Sequence, residues 1–153
     1  MVSRLALSSF LLLAAAMPAC AQERQWMLDA SDSDAYLIFG VPDSDDVGVS
    51  LWCTVQTDEV NVFVPEATAK INPGADVPFV IQAGDESVQV KGKSEVNMDA
   101  GQTSVEAKLP VASQIFAAMM KSDRFRVVVD GNETVFPLMD ADLEGLLALC
   151  RKP

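Results

Sequence analysis

The stretch VGVSLWCTV, Val47 to Val55, decides how this chain is read. Val47, Val49, Leu51, Cys53 and Val55 fall on one side of a period-two pattern, and Gly48, Ser50, Trp52 and Thr54 on the other. That is a β-strand with one face turned to a core. The stretch places Cys53 on the apolar face and Trp52 on the opposite one.

The neighbouring segments extend the pattern. Glu59 to Val64 alternates again, with Val60, Val62 and Val64 on one face. A two-residue loop at Thr57-Asp58 would set Cys53 opposite Val62 and Trp52 opposite Phe63. Upstream, Gln25 to Ala30 and Ala35 to Val41 read as strands joined by Ser31 to Asp34, and Pro42 to Asp46 follows the second. Both connectors carry short polar side chains that bond their own backbone in turns. Trp26 reads as an anchor for the first strand.

Downstream, Glu66 to Val77 reads as a connection. Pro78 to Ala83 and Ser87 to Lys91 pair around Gly84-Asp85, which puts Phe79 opposite Val90 and Ile81 opposite Val88. Glu95 to Met98 and Gln102 to Leu109 form a further pair, and Phe125 to Val129 and Glu133 to Phe136 another, turned at Gly131-Asn132. Two helices interrupt the strands. One lies near 113–121, starting at Ser113, with Ile115, Phe116, Met119 and Met120 on one side as core. The other spans 141–151, capped by Asp140, with Asp142 and Glu144 in its first turn and Arg151 and Lys152 at its end. Its Leu143, Leu146, Leu147 and Cys150 follow the i, i+3, i+4, i+7 rule. The fold class is therefore mostly β: a single-domain antiparallel β-sandwich or partly open barrel of eight or nine strands with two short helices.

The N-terminus reads as an export signal. Arg4 precedes the apolar run Leu5 to Ala16, and Ala19-Cys20-Ala21 offers small residues for cleavage after Ala21. The expected division is a signal peptide over 1–21 and one β-rich domain over 22–153, of about 130 residues, enough for a core. The alternative is a lipoprotein anchored at Cys20, although Met17-Pro18-Ala19 fits a lipobox poorly. No other segment has the length and apolarity of a membrane span. Cleavage leaves two cysteines, Cys53 and Cys150. Two periodicities turn both inward, and an even pair in an exported chain favours a disulfide. Closing a loop of about 100 residues is worth roughly 4–5 kcal/mol in loop entropy, as an upper figure.

Charge and composition exclude several functions. The net charge is −11, and losing Arg4 with the leader takes it to −12. Such a surface repels nucleic acid and anionic membrane, while a basic partner suits it. The chain contains no histidine, which removes Ser-His-Asp and Cys-His catalysis and the usual zinc and copper sites. No GxGxxG, GxxxxGK[ST] or GxSxG occurs, and no cofactor is expected. Carboxylates remain as catalytic or calcium-binding groups. Asp29, Asp32 and Asp34, and then Asp43, Asp45 and Asp46, form acidic runs. Neither fits an EF-hand, because counting from Asp43 puts Val47 at position 5 and Thr54 at position 12. Solvated turns are the simpler reading of both runs.

Trp52 and Phe63 are the candidate contact residues. On a solvated face they form an apolar patch for a partner. Under a second layer or a helix they are core, the more frequent fate of such side chains.

The chain as a whole also resembles known exported proteins in layout. Trp26, a polar turn, the strand ending LWC at Leu51 to Cys53, several hairpins, the FRVVVDG strand at Phe125 to Gly131 and a terminal LLALC helix at Leu146 to Cys150 come in that order. This is similar to small exported proteins of Gram-negative, chiefly alphaproteobacterial, origin. More distantly it resembles invasion-associated locus B proteins and type VI secretion-associated envelope proteins, whose cysteines are more numerous or differently placed. The resemblance implies a periplasmic β-sandwich and carries over no functional residue.

Three functions remain open on the residues: a non-catalytic module that binds another protein or supports the envelope, a carboxylate-dependent hydrolase with or without calcium, and an acidic inhibitor of a basic secreted enzyme.

Overall fold

The structure is a computed structural model that describes residues 23–65, 71–97 and 102–153. The expected leader, Cys20 included, lies outside these residues.

Alternation sets the strands: β1 (Gln25–Ala30), β2 (Asp34–Gly40), β3 (Val47–Thr54), β4 (Glu59–Val64), β5 (Asp76–Ala83), β6 (Glu86–Asn97), β7 (Gln102–Pro110), β8 (Arg124–Val129) and β9 (Asn132–Pro137). Helix α1 (Gln114–Met119) lies between β7 and β8, and α2 (Leu143–Cys150) follows β9. The strands form one antiparallel sheet in the order β1-β2-β3-β4-β7-β6-β5-β8-β9, curled into a half-barrel. Of the two expected architectures the partly open barrel is the one formed, because a single hydrogen-bonded order runs from edge to edge. Glu95 to Met98 does not begin a separate strand: residues through Asn97 continue β6, whose inward Gly92 lets the sheet close over Phe79. A Cβ there would lie 2.6 Å from a Val105 methyl carbon and 3.2 Å from the Phe79 ring.

The curl brings the two ends of the sheet together through aromatic rings. Trp26 on β1 lies 5.2 Å from Phe39 and 6.4 Å from Phe125, and Phe136 on β9 lies 5.3 Å from Phe125 and 6.2 Å from Phe39. The Trp26 indole donates to the Pro137 carbonyl at 2.7 Å. Trp26 thus anchors β1 and latches it to β9, which shields edges that would otherwise be free to pair with another chain.

The concave side holds the core. Leu37, Leu51, Val62, Phe79, Ile81, Leu109, Phe116, Phe125 and Leu146 are among its fully buried side chains. Both helices contribute to this same cluster. In α1, Ile115, Phe116 and Met119 are buried, whereas Met120 is 51% exposed rather than core. The helix ends at Met119, and at 100° per residue Met120 would point about 140° away from Ile115. Ser113 occupies the N-cap without a side-chain cap bond.

Helix α2 starts later than expected. Asp142, not Asp140, is the cap, and its Oδ1 accepts from the Gly145 N–H at 2.9 Å. Asp140 sits in the left-handed region at φ 64° and turns the chain into that cap. Arg151 is the C-cap residue, so neither it nor Lys152 lies in the last turn. Leu143, Leu146, Leu147 and Cys150 face the core as expected. Cys150 is bonded to Cys53 across a sequence separation of 97, with a Cα–Cα distance of 5.7 Å.

Two loops differ from the expected ones. The β3–β4 register pairs Leu51 with Val62, Trp52 with Asn61 and Ser50 with Phe63. Partners are shifted by two places, which keeps every side chain on its expected face. The longer loop is held from outside: the N–H groups of Gln56 and Asp58 donate to the Leu149 and Cys150 carbonyls at 3.0 and 2.9 Å, and the Lys152 N–H donates to Asp58 Oδ1. These bonds satisfy carbonyls that a helix end leaves unpaired. At β8–β9 the loop residues are Asp130 and Gly131, both at positive φ, rather than Gly131-Asn132. Asp-Gly is a favoured pair for that tight turn. The β5–β6 register, Phe79 with Val90 and Ile81 with Val88, is the expected one.

Candidate functional site

The convex face of β2, β3, β4 and β7 carries the candidate site. Residues there point away from both helices, whose buried side chains all join the concave core. Trp52 and Phe63 share this face and are half-buried at the surface. Neither described helix packs over them, since the buried side chains of α1 and α2 belong to the concave core.

The residues around them form an ordered patch. Tyr36, opposite Trp52 in register, stacks on it with centroids 5.8 Å apart and planes 17° apart. Tyr36 remains 37% exposed. The Trp52 indole N–H donates to Glu106 Oε2 at 2.8 Å, and Glu106 is the register partner of Phe63. Met27, Ile38 and Ser50 continue the outward row that contains Phe63. Lys93, opposite Glu106, turns instead to Asp76 at 2.9 Å. Glu106 thereby serves as acceptor to the indole and fixes the ring.

Asn61 lies beneath this patch and is 5% exposed. Its Nδ2 donates to the Trp52 carbonyl at 3.3 Å, while its Oδ1 is buried without a hydrogen-bond partner. A buried amide oxygen left unpaired is costly, so it is uncommon in folded proteins. Sequence reading found Trp52 and Phe63 but missed Tyr36, Asn61 and Glu106. Tyr36 was available from the alternation of β2. Glu106 was not, because nothing local says that β7 lies beside β4.

The acidic runs serve turns. The Ser33 hydroxyl donates to Asp34 Oδ2 at 2.7 Å, the Thr54 hydroxyl to Asp34 Oδ1 at 3.1 Å, and the Arg24 side chain to Asp46 Oδ1. Among the described residues no three histidine, cysteine or carboxylate side chains converge as metal ligands would. One carboxyl has a displaced titration: the Lys93 ammonium, by hydrogen bond and then by charge, holds Asp76 below the usual carboxylate range. A cleft of about 560 Å³ lies between the β5–β6 turn and the start of β8. It mixes Lys121, Arg124 and Arg126 with Asp85, Glu86 and Asp123, so its charges largely offset one another.

No helix among the described residues is long and apolar enough to cross a membrane. No protein-family model, curated protein or solved structure matches the chain.

Proposed function

We propose that this chain is an exported, periplasmic, non-catalytic binding module that engages a partner protein through the convex face around Trp52 and Phe63. The observation that carries the reading is the fixed Tyr36–Trp52 stack. Two large aromatics are held rigid at the surface, one by a carboxylate, on a face that no described helix covers. Stacked surface aromatics of this kind supply contact area at little entropic cost, and they are enriched where proteins bind one another. Export is supported by the leader-like N-terminus and by the internal disulfide. The layout resemblance to small envelope proteins of Gram-negative bacteria points the same way.

A photo-crosslinking residue placed at position 63, and separately at exposed Val135, tests the reading in the native host. Discrete adducts from position 63 and none from position 135 are expected. Equal labelling from both positions, or none from 63, would refute the binding face.

A further inference from the structure

The chemistry of the convex face narrows its partner, an inference that rests on the binding reading above. We infer that the face takes a basic, arginine-bearing segment of another protein, with a guanidinium seated against the Tyr36–Trp52 stack.

Three observations converge on this. The stacked rings offer an electron-rich surface, and guanidinium groups pair with such surfaces better than ammonium groups do. The outward register positions around the stack carry carboxylates: Asp29 opposite Tyr36, Asp34 two residues before it, Glu59 two residues before Asn61, and Glu106 opposite Phe63. Lys108, opposite Asn61, is the cation among them, because Lys93 is engaged with Asp76. The third observation is independent of charge. Asn61 Oδ1, buried under the patch, is an acceptor with no donor. Apart from Lys108, the charged and unpaired groups named on this face are acceptors, and guanidinium is a planar group of five donors with no acceptor. The net charge of −11 adds long-range attraction for a basic partner and repels polyanions.

Calorimetry at low ionic strength, with the whole exported chain and an (Arg-Gly)4 peptide, tests the inference. The same peptide with citrulline in place of arginine keeps the shape and removes the charge. The arginine peptide is expected to bind and the citrulline peptide not to. Trp52→Ala should weaken binding by about tenfold and Trp52→Phe by about threefold, which separates loss of the ring from loss of the fold. Glu106→Gln should weaken it by about threefold or more, while the charge-matched Asp85→Asn, at the remote β5–β6 turn, should change it by less than about twofold. Equal binding of the citrulline peptide would overturn the inference. So would equal losses from Glu106→Gln and Asp85→Asn, which would mean diffuse charge, or an affinity unmoved by Trp52→Ala. Binding of a neutral oligosaccharide in place of the arginine peptide, or self-association of the chain through this face, would also overturn it. A silent arginine peptide alongside position-63 adducts would leave the binding face standing and remove the basic partner.

Discussion

At the residue scale, side-chain direction was legible wherever burial alone decides it. The alternation in β3 and β4 put Cys53 inward and Trp52 and Phe63 outward, and the structure agrees on all three. What local sequence does not carry is who stands opposite. Trp52 meets Tyr36 and Asn61, and its indole reaches Glu106, 54 residues away. Asp76 shows how such a pairing reaches stability. Lys93 lowers its titration, so the ionised form is favoured in the folded state. The contribution is therefore present above the ordinary carboxylate range and is lost as pH falls through the lowered value. Because the pair is exposed, the effect is small. Urea midpoints followed from neutral to acidic pH should fall slightly less steeply for Asp76→Asn than for the parent. Identical slopes would remove the pair from the acid response.

At the element scale, both helices were placed correctly by period and misplaced at their ends. Asp140 and Asp142 both carry the chemistry of a cap, and backbone geometry chose between them. Asp140 takes the left-handed turn, which frees Asp142 to bond the Gly145 N–H. Asp142→Ala should cost about 1 kcal/mol in thermal or chemical unfolding, the usual worth of a side-chain cap. Asp140→Gly should leave stability level or raise it, since glycine adopts positive φ without strain. The reverse ranking would mean that the cap lies at Asp140. The β3–β4 loop was misread for a different reason. Thr57-Asp58 is a poor two-residue turn, and the longer loop is stabilised by carbonyls of α2, about ninety residues further on.

At the scale of the whole molecule, the fold class followed from counting alternating segments, but the strand order did not. β7 lies between β4 and β6, and β5 between β6 and β8. Those neighbours follow from long-range pairing of apolar faces, which a linear reading cannot rank. The feature that ties distant parts together was nevertheless visible: one even pair of thiols on two inward faces. Removing it with Cys53→Ser and Cys150→Ser together should cost about 2–5 kcal/mol in denaturant unfolding, because the open chain regains the freedom of the 97-residue loop. Intact mass before and after reduction should differ by two hydrogens. A parent chain already at the reduced mass would rule the bond out.

The same bond carries a consequence in time. Both sulfurs belong to side chains sealed from solvent, so an outside oxidant reaches them only while α2 is off the sheet. Synthesis runs from the N-terminus, and Cys150 follows Cys53 by 97 residues. At roughly 5–20 residues per second, Cys53 waits on the order of 5–20 s for its mate on each newborn molecule. Throughout that interval its thiol stands on an unfinished chain without its partner, open to oxidation or to exchange with any disulfide it meets.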